Sequence, residues 1–175
     1  MIKRISALAD IARRCSEAVA ILAVALMLGV VAFNVIARMV FDATGTAVNF
    51  MIPGAIEIAS YSLLILTMPA IAASLRDGMI SVDILVTRLP VSIQRLATRF
   101  WFLVLGATAL TLAWLFWHEM QATQARGDAT QDMNLPLYIF YAAVAVETVL
   151  LAIVCLGEAL THGAPKPDHG EGHLS

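Results

Sequence analysis

The chain has 175 residues, 60% of them hydrophobic and 14% charged, with a mean hydropathy of +0.83. Soluble domains are near ~45–50% apolar and ~25% charged, so a water-soluble globule is excluded, and disorder, which needs an apolar-poor chain, is excluded with it. The net charge of −2, from 11 Lys+Arg against 13 Asp+Glu, is not that of a nucleic-acid binder, which clusters basic residues.

Four apolar segments each approach the ~20 residues that carry a helix across a bilayer. Backbone polar groups left unpaired in hydrocarbon are costly, so segments this long and apolar must be helices. The short alternating pattern of an outer-membrane barrel strand is absent. The expected fold is therefore an all-α integral membrane protein. It has one membrane domain over residues 1–162 and a solvated, disordered tail over 163–175, rich in Gly, Pro, His, Asp and Glu.

In chain order, a basic arm with Lys3, Arg4, Arg13 and Arg14 precedes span one, about 18–37, which holds Asn34 and is followed by Arg38. Its apolar run exceeds the ~7–15 residues of a signal peptide, and no small-residue cleavage site follows, so it reads as an uncleaved first span. Cys15 stands behind Arg13-Arg14, not behind the apolar triplet of a lipidation site. Span two, about 55–75, opens with Glu57 and contains Pro69. Arg38 and Glu57 belong to the same end of neighbouring spans, so a salt bridge between them is one reading and snorkelling of each to water the other. Asn34, one turn before Arg38, fits the polar glue of helix pairs.

Between spans two and three, Val82, Leu85, Val86, Leu89 and Ile93 recur at helical spacing, with Asp83, Thr87 and Arg88 on another face. That pattern predicts an amphipathic helix over about 81–90 lying in the membrane interface, begun by Asp77-Gly78 and ended by Pro90. Ser92 is the expected N-cap of the next helix. Span three covers about 100–118, its helix continuing beyond the surface from Glu119. Trp101, Trp114 and Trp117 suit the aromatic belts at span ends. Span four covers about 137–160 and carries Glu147 near its middle. An acid there costs about 2.5–3.5 kcal/mol to insert. It is read either as an ion site or partner contact, or as a carboxyl bonded to Thr67, Thr108 or Thr111.

Nine of the Lys and Arg residues fall in the N-terminal arm, the 76–99 connection and the tail, while Arg38 and Arg126 fall in the other two connections. By the positive-inside rule both termini are cytoplasmic. Cys15 and Cys155 then share a reducing side, and no disulfide is expected. His118 is the lone histidine near a span, which cannot ligate a haem from two sides. No P-loop, nucleophile elbow or metalloprotease pair is present. The residues point to no catalytic, metal or cofactor site.

Phe33-Asn-Val-Ile-Ala-Arg38 with Val40-Phe41, Glu57 at the start of span two, Arg76-Asp-Gly-Met-Ile-Ser-Val-Asp83, Leu89-Pro90 and Leu135-Pro136 occur in an order and spacing that resembles one family. It is the small membrane subunit of tripartite ATP-independent periplasmic (TRAP) transporters, the DctQ-like family, and the resemblance covers about residues 15–160. Many members open span two with a Trp and paired acids, where this chain has Asn49-Phe-Met-Ile-Pro-Gly-Ala-Ile-Glu57. The resemblance implies a non-enzymatic inner-membrane subunit. Its partners would be a large multispanning permease, which carries the sodium and substrate sites, a periplasmic binding protein that delivers an organic acid, and membrane lipid. On that reading Asn34, Arg38 and Glu57 serve structure or partner contact, and Asp83 and Arg88 orient the interfacial helix. Glu147, where an uncharged residue is the norm, is either an interface acid or, in an autonomous oligomeric transporter, the ion-coupling acid.

Overall fold

The computed structural model describes residues 2–45, 47, 49–75 and 90–161. They form four helices: α1 Ile2–Ala43, α2 Ala55–Ser74, α3 Val91–Arg126 and α4 Tyr138–Thr161. Each is long and apolar enough to cross a membrane. Among the described residues there is no strand, only an isolated bridge between Ala129 and Pro136. The interfacial helix expected over 81–90, with Asp83 and Arg88, lies outside the described residues except for Pro90, as does the tail over 163–175.

α2 and α4 match the expected spans closely, whereas α1 and α3 run well past theirs. For α1 the reason is a narrow inward strip of small residues, Ala9, Ala12, Ser16, Ala23 and Ala37, all buried. Spaced three or four apart or in multiples of a turn, they fall on one face, so the polar arm gains a packing surface and stays helical. α3 starts two residues earlier than expected. Pro90, not Ser92, is its N-cap, with φ −56° and ψ 142°, and its carbonyl accepts the N–H groups of Ile93 and Gln94. A proline suits that place because its own missing N–H is not needed there. The other end continues through Arg126, where the Gly127 N–H closes on the carbonyls of Thr123 and Gln124. Pro69 sits buried inside α2, where the neighbouring helices shield the turn that it deprives of a hydrogen bond.

α4 packs against α1, α2 and α3, α1 also packs along α2, and α3 rests on α4. The central cluster joins Ala12, Ala72, Leu75, Phe102, Ala109, Leu151, Ala152, Val154, Cys155 and Ala159. Small side chains predominate because apolar surface gains nothing by leaving lipid, and close backbone approach with good van der Waals contact takes over as the driving force. α1 and α4 approach closely at Gly157: a Cβ there would collide with that of Ala9 and lie against the Ile5 carbonyl.

The contacts also set the levels of the helices. Tyr61 of α2 stacks on Phe140 of α4 at 4.1 Å between ring centroids. Phe116 of α3 lies parallel to Tyr141 at 6.5 Å, and Gly106 abuts Cys155. The apolar runs of α2, α3 and α4 therefore begin and end together. α1 is displaced, because Ala9 meets Gly157 and Ser16 meets Glu147. From Glu147 back to Tyr138 is ~13 Å of helix, but from Ser16 on to Ala43 is ~40 Å. Measured along the helix, the last turns of α1 thus run roughly 25 Å past the start of α4, at the end that carries the α1–α2 and α3–α4 loops.

Gly157→Leu is expected to lower the unfolding free energy by about 1–3 kcal/mol through overpacking. Gly29→Leu, at a site with nothing within 4 Å of the added Cβ, should be near neutral. Thermal melts of the two variants in detergent compare them directly.

Candidate functional site

The polar residues of the loop end are organised around Glu57. Its carboxylate accepts the backbone N–H of Asp132 at 2.9 Å and of Met133 at 3.2 Å. The acid therefore fastens the start of α2 to the α3–α4 loop. Gly54, just before α2, has φ +73°, and a side chain there would run into Met133; the Met133 side chain lies over the Gly54 backbone because no Cβ intervenes. Within the loop the Thr130 N–H donates to the Leu135 carbonyl at 2.8 Å, and the Leu135 N–H returns to the Thr130 hydroxyl at 3.0 Å. Asn134 makes the turn with φ +56°, a left-handed conformation that asparagine tolerates. Beside it, Arg126 bridges Glu119 at 2.9 Å and Asp128 at 2.7 Å.

Of the two readings for Arg38 and Glu57, the salt bridge is not formed: among the described residues no ion pair joins them, and Arg38 is exposed. The overhang of α1 carries Arg38 beyond the level of Glu57, whose two oxygens are engaged by backbone amides instead. Asn34 lies on the inward side of α1, half-buried, with its Oδ1 buried and without a hydrogen-bond partner.

Glu147 is 5% exposed and accepts the hydroxyl proton of Ser16 at 3.2 Å. Thr67, Thr108 and Thr111 are not its partners; each hydroxyl donates to the carbonyl four residues back on its own helix, at 2.9 Å. Sequence reasoning missed Ser16 because it precedes the apolar run of span one. The signal was there in Ala9-x-x-Ala12-x-x-x-Ser16, a small-residue face on the arm. A second acid of α4, Glu158, is 2% exposed and lies three turns along the same side as Glu147. It was left aside because it stands at the edge of the expected span. Among the described residues, no three His, Cys, Asp or Glu side chains converge as a metal would need. His118 instead meets the edge of Trp114 at 4.5 Å.

Exposure completes the picture. In α4, 44% of the most apolar stretch is buried, against 6% in α1. The surface left on α1 includes Phe33, Val35, Ile36, Met39 and Val40, each 38–67% exposed. The arrangement holds helices together and presents apolar surface.

Glu57→Ala should speed hydrogen exchange at the Asp132 and Met133 amides severalfold, since both lose their acceptor. Arg126→Ala should leave those two amides unchanged, and exchange followed by mass spectrometry reads both. Ser16→Ala should cost about 1 kcal/mol in detergent melts, because the buried Glu147 carboxyl loses its partner.

Comparison with known proteins gives a family match. The family described as Tripartite ATP-independent periplasmic transporters, DctQ component, matches residues 13–163. No match was found among curated proteins or among solved structures. The matched stretch takes in the inner part of the α1 seam, both loops of the Glu57 clamp and all of α4. It covers most of the chain, and the chain belongs to the DctQ family, the small permease component of TRAP transporters.

Proposed function

We propose that this subunit braces the large permease of a sodium-driven TRAP importer of an organic acid and forms part of the surface on which the periplasmic binding protein docks. The observation that carries this reading is the contrast between a nearly half-buried α4 and an almost uncovered α1. A helix that serves only its own fold hides its packing face, whereas a helix that serves a partner keeps apolar surface free. On this reading the chain is one multi-pass domain of the inner membrane with both termini cytoplasmic, as the distribution of Lys and Arg favours. Sodium and substrate are held by the large subunit, and the small subunit has no cofactor of its own. The binding protein meets the loop end, where Glu57 keeps the 128–136 turn in shape, with Asn34 and Arg38 as structural or partner-interface residues of α1. Asp83 and Arg88 orient an interfacial helix at the opposite end, against lipid or the permease.

The runner-up is an autonomous transporter with Glu147 as its ion-coupling acid. The hydrogen bond from Ser16 and the burial of Glu147 between α1 and α4 favour a bracing role over a site that must exchange ions with water. Cells carrying the permease and binding protein are expected to take up substrate only when this chain is also present, and the purified chain should bring the permease with it. Glu147→Gln, which keeps an acceptor for Ser16, should retain most of the uptake. Loss of uptake in that variant with an intact complex would overturn the bracing role of Glu147, and uptake by this chain alone in vesicles would overturn the whole reading.

A further inference from the structure

We infer that the overhanging part of α1, with Phe50 of the following loop, is the seat of the large permease subunit, and that lipid does not cover it. The inference rests on the TRAP reading and adds the surface. Its basis is the mismatch in level between α1 and the other three helices.

α2, α3 and α4 agree on where hydrocarbon ends. At the loop end their apolar runs give way together to Glu57, Glu119, Arg126, Asp128 and Asp132. α1 does not share that boundary. Its contacts at Ala9–Gly157 and Ser16–Glu147 place Arg14 and Glu17, both exposed, level with the apolar middle of α4. The same contacts carry its own apolar residues past the start of α4. Phe33, Val35, Ile36, Met39 and Val40 cover an arc of roughly 160° beside the strip marked by Ala37, with Phe33 and Val40 at its edge, and Phe50 is 62% exposed.

A bilayer positioned for three helices leaves this arc in water and puts Arg14 and Glu17 in hydrocarbon. A bilayer positioned for α1 puts the Arg126–Asp128–Glu119 cluster and the Glu57 clamp in hydrocarbon instead. Lipid alone satisfies neither arrangement, because it offers one apolar thickness to all four helices. A large protein partner can meet both ends of α1. It can present apolar side chains beyond the lipid boundary to cover the arc, and polar groups at depth to face Arg14 and Glu17. A soluble partner supplies the first but not the second, which points to the membrane-embedded permease and not to the binding protein.

The test uses the complete transporter in cells, with the photocrosslinking residue p-benzoylphenylalanine placed at Ile36 or at Met39. A light-dependent adduct with the mass of the small plus the large subunit is expected at both positions. In addition, Ile36→Lys with Met39→Lys should lower the co-purified permease by roughly tenfold, as for loss of a buried apolar anchor, without shifting the melt of the isolated subunit. If neither position yields that adduct while the unmodified chain still brings the permease with it, this surface assignment fails and the TRAP reading stands. Adducts with lipid, with the binding protein or with a second copy of the chain would equally overturn the assignment. If the unmodified chain does not bring the permease at all, the TRAP reading itself fails.

Discussion

The structure depends on the close approach of α1 and α4. Gly157 lacks the side chain that would hold the two backbones apart, Ala9 fills the space, and two to three turns further on the Ser16 hydroxyl meets Glu147. Two contacts on one pair of helices determine both their separation and their register. Everything notable at the loop end follows from that register. It lifts Arg38 beyond Glu57 and leaves the outer turns of α1 covered only along the strip that ends at Ala37. It also frees the Glu57 carboxylate for a different task.

That task shows how a charged residue near a membrane boundary can serve shape in place of charge pairing. Glu57 binds two consecutive backbone amides, which fixes a loop by its main chain and is indifferent to the side chains the loop displays. The loop is thereby free to carry Asp128, Asp132 and Met133 outward. Arg126, half-exposed between Glu119 and Asp128, adds local order at the end of α3, but such an exposed pair is screened by salt and water. The bonds from Glu57 tie two different elements together, so they matter more to the form of this surface than the shorter ion pairs do.

Much of the fold was legible because hydrocarbon imposes its own arithmetic. The apolar runs placed α2 and α4 almost to the residue, and Glu119 and its neighbours announced that α3 continues. What hydropathy could not show was how far the polar ends remain helical, since a helix also persists where it finds packing. The arm of α1 finds it on α4 through Ala9, Ala12 and Ser16, residues too small and too mildly polar to register in a hydropathy window. Partners were harder still. Arg38 and Glu57 have opposite charge and belong to the same end of neighbouring helices, yet register separates them. Glu147 had threonines at its apparent depth, yet each of these is satisfied by its own helix, as hydroxyls in helices commonly are.

The division of labour between α4 and α1 is the physical reason that so small a subunit can be useful. A membrane helix contributes to its own fold through close packing and to a partner through surface, and the same face cannot do both. α4 spends its small residues and both of its acids inward, so that the three other helices have a common support. α1 touches the bundle along a strip only a residue or two wide and leaves the rest of its girth free. A rigid hub allows a neighbouring helix to be loaded from outside without distorting the bundle. A brace for a moving permease has to combine those two properties, and here they reside in separate helices joined at Gly157.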